Sequence, residues 1–204
     1  FFTPKCISVI MFDLAIIHGF KGGSILEPSF GHGVFFDVAT EKMGLKQSEL
    51  YGFEIYKPNY DFVKKNYPNA NLFDHNFEYQ FIKQDIFFKK NKIEKSKDFA
   101  NKEFDLCIGN PPYGAHKSPH AYYFDNYLQI RYEGFFIYLA LQKVKKGGLV
   151  VFIINSLWLQ NGNLYNKQKE AIAKYGELID AYRLPNSTFE NTSVATDIVI
   201  FKKK

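Results

Sequence analysis

Phe104-Asp105-Leu106-Cys107-Ile108-Gly109-Asn110-Pro111-Pro112-Tyr113 is an apolar run of strand length that stops on an amide and two prolines. Consecutive prolines fix φ near about −65° and remove two backbone N–H donors, so pairing cannot continue through them. The carbonyls of Asn110 and Pro111 are left without a ladder partner on that side. They can point into a cavity beside the Asn110 amide, where Tyr113 adds a flat ring. A polar amide, a stiff carbonyl and an aromatic plate suit a planar group carrying an NH2, such as adenine. The plain alternative is a rigid Pro-Pro turn after a buried strand.

Working outward, strand-like and helix-like stretches alternate, which argues for an α/β fold with a mostly parallel sheet. Strands are expected at residues 24–27, 50–55, 81–85, 104–109, 149–154, 177–184 and 196–202. Helices are expected from Pro4 to about Ile17, with Thr3 as N-cap, and at 34–42, 58–66, 134–146 and 166–175. The helix at 134–146 should end on Lys143, Lys145 and Lys146, with Gly147-Gly148 as its stop. The lysine-rich stretch 87–104 reads as a solvated loop, with a DNA-backbone contact as the lesser reading. Residues 114–131 form a second long connection and suit a mobile, substrate-facing loop.

With 204 residues the chain has room for one domain with a substantial core. The 46% hydrophobic and 23% charged content is ordinary for a globular protein. Its 22 Phe and 14 Tyr discount any single aromatic as a sign of stacking. A net charge of +5 suits a polyanion partner without proving one. Cys6 and Cys107 belong to no C-x-x-C or Cys/His cluster, so neither zinc nor a disulfide framework is indicated. His18, His32, His75, His116 and His120 form no metal spacing or triad, and His116 and His120 read as loop residues. No apolar run is long enough to span a bilayer and no signal peptide is seen, so a reducing cytoplasm is the default.

Several segments, in order, resemble the adenine-N6 DNA methyltransferases that use S-adenosylmethionine. Phe2-Thr3-Pro4 resembles their N-terminal cofactor motif. Ile25-Leu26-Glu27-Pro28-Ser29-Phe30-Gly31-His32-Gly33 resembles their glycine-rich loop, and Tyr51-Gly52-Phe53-Glu54-Ile55 the acidic strand end after it. Gln84-Asp85-Ile86 resembles the adenine-contacting turn, and Asn110 to Tyr113 the catalytic loop. The resemblance implies a Rossmann-like methyltransferase fold: a seven-stranded, mostly parallel sheet with an antiparallel last strand and helices on both faces. It implies one catalytic domain over residues 1–204, with Thr3, Pro4, Glu27, Pro28, Ser29, Gly31, Gly33, Glu54, Ile55, Asp85, Ile86 and Asn110 on the cofactor. Asn110, Pro111, Pro112 and Tyr113 would be catalytic, and Tyr113 and Phe189 would stack on the base, although Phe189 could equally belong to the core.

The residues support parts of this independently. A dinucleotide loop needs a third glycine at position 36, where this chain has Phe36. A carboxylate at Glu27 would repel a pyrophosphate and attract the ammonium of a methionine moiety. Glu54 follows Gly33 by about 20 positions, the spacing at which an acid meets ribose hydroxyls. The target base would be flipped out of its duplex. Competing readings are a protein-glutamine N5 methyltransferase, cytosine-N4 or RNA methylation, and a non-catalytic cofactor- or DNA-binding module. The chain opens inside a motif at Phe1, so it is expected to be part of a larger protein. Such a protein would carry a target-recognition domain, and helicase or restriction domains, elsewhere.

Overall fold

A computed structural model of the chain describes residues 2–83, 85–93, 96–115, 121–129, 131–160, 162–189 and 194–204, with backbone only at residues 85, 86, 88, 121, 127 and 129. Gln84 and residues 116–120 and 130 of the 114–131 connection, His116 and His120 among them, lie outside the described residues.

Seven strands form one sheet in the order β3-β2-β1-β4-β5-β7-β6. They are β1 (Ile25–Glu27), β2 (Leu50–Phe53), β3 (Asn71–Phe73), β4 (Phe104–Gly109), β5 (Val144–Asn155), β6 (Gly176–Arg183) and β7 (Thr196–Lys203). The first five pair in parallel, whereas β7 runs antiparallel to both β5 and β6. The helices are α1 (Lys5–Ile17), α2 (Val34–Met43), α3 (Lys57–Asn66), α4 (Asp85–Asn91), α5 (Lys97–Asn101), α6 (Tyr132–Leu141), α7 (Leu157–Gln160) and α8 (Asn166–Ala173).

Alternation along the central strands sends side chains into two cores. Ile25, Leu106, Ile108, Val151 and Ile153 pack with Met11 and Phe12 of α1, Phe35 and Phe36 of α2 and Val63 of α3. Leu26, Cys107, Val150, Phe152 and Ile154 pack on the opposite face with Phe135 and Leu139 of α6, Trp158 of α7 and Ile172 of α8. Burial on both faces explains why β4 and β5 read as continuous apolar runs. Many phenylalanines cluster on that second face. Phe53 stacks on Phe73 at 4.6 Å and meets Phe77 and Phe99 at 5.3 and 5.1 Å.

Four expectations are corrected. The third strand is Asn71–Phe73, while residues 77–81 form a 3-10 turn and Asp85 opens α4. A three-residue strand with only Leu72 buried gives almost no alternation to read. The 87–104 stretch is not a plain loop. It folds as α4 and α5, anchored by Phe87 and Phe99 at 1% exposure, with Lys89, Lys90, Lys92 and Lys97 left outside. Helix α6 stops at Leu141, and Val144 already pairs with Phe104 in the sheet. The Lys143 amine therefore turns inward, donating to the Phe99 carbonyl at 2.6 Å and the Ala100 carbonyl at 3.3 Å. Burial pushes its pKa down to about 8. Finally, Pro4 is the N-cap of α1, and the Thr3 hydroxyl is engaged with Asn110 instead.

Candidate functional site

Three segments meet at the C-terminal edge of β1, β2 and β4, where open α/β sheets place ligands. The first is the turn from β1 into α2. The Phe30 amide donates to the Phe53 carbonyl at 3.0 Å, stitching this turn to the end of β2. The Gly33 amide closes it onto the Phe30 carbonyl at 2.7 Å. Gly33 has φ +81°, and a Cβ there would come within 3.1 Å of Val63. Both conditions demand glycine. Gly31 also lies in the left-handed region, at φ +53°.

The second segment is the end of β2. The Glu54 carboxylate accepts the Gly31 amide at 2.9 Å and the Tyr56 amide at 2.7 Å. It therefore clasps the glycine turn, with lone pairs remaining on each oxygen. Ile55 beside it is 66% exposed.

The third segment is the end of β4. The Asn110 side-chain amide donates through Nδ2 to the Thr3 hydroxyl at 3.1 Å, and its Oδ1 accepts the Tyr113 hydroxyl. Thr3 can serve as that acceptor only if the amide is turned so that Oδ1 faces Tyr113. Burial keeps the Tyr113 phenol well above its ordinary range, so it stays a neutral donor. The Ser29 hydroxyl donates to the Asn110 carbonyl at 3.4 Å, a long bond that ties the two loops together.

Two cavities result. One, about 320 Å³, is lined by Thr3, Lys5, Glu27, Ser29, Gly31 and Asn110 among others. The other, about 230 Å³, is formed by Asn110, Pro111, Pro112 and Tyr113. Asn110 lines both. Glu27 is only 1% exposed, and its Oε2 has no hydrogen-bond partner. Burial, then the nearby charges of Glu54 and Asp37, hold its carboxyl well above the usual carboxylate range. An acid in this state invites a cation. That orphaned oxygen fits the α-ammonium of S-adenosylmethionine, so the residues present suit the cofactor.

Thr3, Glu27, Ser29, Gly31 and Asn110 line one cavity, and Pro28 is buried. Phe189 does not line the base cavity. It is 6% exposed and belongs to the same core cluster as Leu184, Ile153 and Ile198. The expected third-strand acid, Asp85, stands on α4, and its side chain and that of Ile86 lie outside the described residues. The residues that do follow β3 are Asp74 and His75. They border a cavity of about 970 Å³, and the His75 ring lies 5.4 Å from Phe53. Sequence reasoning also passed over Phe2 as a site residue. Its ring stacks on His32 at 3.8 Å over the mouth of the glycine turn. Its only signal was adjacency to Thr3-Pro4. Among the described residues no group of His, Cys, Asp and Glu is placed to hold a metal, and no helix is long and apolar enough to cross a membrane.

The sequence pattern of N-6 DNA methylases matches residues 1–204, the full length of this chain. The chain belongs to the N-6 DNA methylase family. It is 23% identical over 205 residues to the defense against restriction protein B of Escherichia phage P1, covering 100% of this chain and 8% of that protein. It is 26% identical over 177 residues to a modification methylase of a Paramecium bursaria Chlorella virus, covering 84% of this chain and 41% of the relative. Among solved structures, this methylase chain superposes on the type I restriction-modification methyltransferase subunit of Streptococcus thermophilus with TM-score 0.76. That match has 21% identity and covers 100% of this chain and 45% of the other, so it establishes the Rossmann-like methyltransferase fold. The methylase chain here spans less than half of each of these proteins.

Proposed function

We propose that this domain transfers the methyl group of S-adenosylmethionine to N6 of an adenine flipped out of DNA. The observation that carries this reading is that Asn110 lines both cavities, so one side chain touches the cofactor space on one side and the base space on the other. Family membership supplies the reaction class.

When bound, the cofactor supplies an electrophilic sulfonium methyl. The Glu27 carboxylate receives the ammonium, and Glu54 and the glycine turn border the ribose. Asp85 keeps the adenine-contacting role that the resemblance gives it, and Asp74 and His75 follow β3 on the same edge of the sheet. In the base cavity the Asn110 Oδ1 and the Pro111 carbonyl accept the two N6 hydrogens. The Tyr113 hydroxyl yields its place on Oδ1, and its ring stacks on the base. Bonds to both hydrogens favour a pyramidal nitrogen and stabilise its developing positive charge, which is electrostatic preorganisation. The N6–CH3 bond forms as the S–CH3 bond breaks, and N6 then releases one proton to water. Stacking offsets on the order of 1–3 kcal/mol of the cost of flipping.

The same proposal places the domain within a larger protein or assembly that holds DNA. The matched parts are only 8% and 41% of the length of these two relatives. A related solved chain, at TM-score 0.71 and 17% identity, comes from work on assembly of a type I restriction-modification system. Supporting this reading, Lys89, Lys90, Lys92 and Lys97 stand exposed. The test is Asn110→Ala in the full-length protein. Cofactor affinity should hold within a few-fold, while the methylation rate, read by single-molecule detection of modified adenines, drops about 10²–10³-fold. An unchanged rate overturns the reading.

A further inference from the structure

Glu133, the second residue of α6, is completely buried, yet it is a carboxylate and lies in no cavity described above. Its partners explain its presence. The Arg131 guanidinium reaches it twice, from Nη2 at 2.9 Å and from Nε at 3.3 Å. The Gly114 amide points at both carboxylate oxygens, 3.3 Å from each. One residue away, the Tyr132 amide donates to the Gly114 carbonyl at 2.9 Å. The start of α6 therefore grips both backbone polar groups of Gly114, in the two successive peptide units that follow Tyr113. Gly114 itself sits at φ +99°, a conformation glycine adopts freely.

The grip is anchored from behind. Gln168 of α8, also fully buried, donates through its amide to the Arg131 carbonyl at 3.0 Å and to the Leu128 carbonyl at 2.7 Å. Its oxygen accepts the Trp158 indole at 2.8 Å. Gly134 leaves the space this needs, because a Cβ there would lie 2.1 Å from the Gln168 oxygen. A satisfied polar chain thus runs from α7 and α8 through Arg131 and Glu133 to Gly114. Buried networks that are fully satisfied rigidify what they hold. What this one holds is the base of Tyr113, whose hydroxyl in turn touches the Asn110 oxygen.

We propose that Glu133 is a positioning residue for methyl transfer: with Arg131 it locks the Gly114 peptide, and so fixes the Tyr113 ring and hydroxyl against Asn110. This rests on the reading of Asn110 to Tyr113 as the base site, but the lock itself does not. Displacement of about 1 Å at a reacting group can cost about 10²-fold in rate. A carboxylate that only stabilised the fold would affect cofactor binding and transfer alike. One that sets Tyr113 affects transfer selectively, because Glu133 touches none of Glu27, Gly31 and Thr3 in the cofactor cavity, and Asn110, which also lines it, keeps its bond to Thr3.

Two variants in the full-length protein test this. Glu133→Gln puts an NH2 group where either Gly114 or Arg131 also donates, breaking one arm of the grip at constant volume. Glu133→Asp keeps the charge but is one methylene shorter. Both should lower single-turnover methylation by about 10- to 100-fold while cofactor affinity stays within about three-fold. In parallel, hydrogen–deuterium exchange should speed up at the Gly114 amide and stay unchanged in β4 and β5. Normal turnover in both variants, in a preparation where Asn110→Ala is inactive, refutes the positioning role. Equal losses of cofactor affinity and rate also refute it, because they mark a fold-wide effect. If wild type binds cofactor but methylates no DNA, the proposed function fails instead. The exchange experiment then still decides the lock, and unchanged protection at Gly114 overturns it.

Discussion

Replacing Glu27 by Gln should move binding and stability in opposite directions. The carboxylate is 1% exposed, one oxygen has no partner, and Glu54 and Asp37 add like charge. As the receptor for an ammonium it makes a charge-assisted interaction of about 1.5–3 kcal/mol, so Glu27→Gln should weaken S-adenosylmethionine binding about 10- to 100-fold. Without ligand the amide relieves the fold of a buried charge. The sign follows from the raised carboxyl. Its cost to the folded state is absent below the ordinary value of 4.5 and grows as pH rises above it. The variant should therefore equal wild type in urea midpoint near pH 4 and exceed it near pH 8. Wild-type binding should also release protons and strengthen as pH rises, and the variant should do neither. Titration calorimetry in buffers of differing ionisation heat reads the protons directly. Unchanged affinity with unchanged proton release in Glu27→Gln would remove Glu27 from the ammonium site, whatever the urea result.

Two further changes probe the frame around that acid. Glu54→Ala frees the Gly31 and Tyr56 amides together and should weaken cofactor binding by roughly 1.5–3 kcal/mol; calorimetry showing wild-type affinity would exclude the clasp from the site. Lys143→Met removes an amine whose depressed pKa makes its charged form costly below about pH 8. Wild-type stability should rise between pH 8 and 10 as that amine loses its proton, and the variant should lack the rise; parallel urea curves in both proteins would sink this account.

Much of this architecture could be read from residues alone, and the failures have physical causes. Strands buried on both faces, such as Phe104–Gly109, announce themselves as apolar blocks, and a turn that needs left-handed φ announces itself as Gly31 and Gly33. β3 did not, because three residues at the sheet margin with one buried side chain carry no period. Asp85 was misplaced for the same reason: a local Gln-Asp-Ile string outweighed a missing strand. The lysines of 87–104 masked two buried phenylalanines, since charge on one side of a short helix hides its anchor. Phe189 illustrates a limit of composition, because among 22 phenylalanines no local signal separates a core ring from a stacking one. The Asn110 cluster was legible because prolines leave few conformations to choose from. Its dependence on Thr3 and Glu133 was not, because those partners are distant in sequence.

The place of β7 has a consequence for how the domain assembles. Residues 149–154 of β5 form an unbroken apolar run; residues 149–152 pair on one side with β4, and residues 149–155 pair on the other with β7. As the chain leaves the ribosome, β1 to β5 can associate in order, but β7 is inserted between two strands made before it. Until residue 196 and beyond emerge, β5 carries an open edge of unpaired amides and carbonyls flanked by apolar faces. Such an edge is the part of a nascent chain most prone to pair with a neighbour. Protection during synthesis therefore depends on how quickly eight residues, Thr196–Lys203, follow β6 out of the tunnel and close the gap.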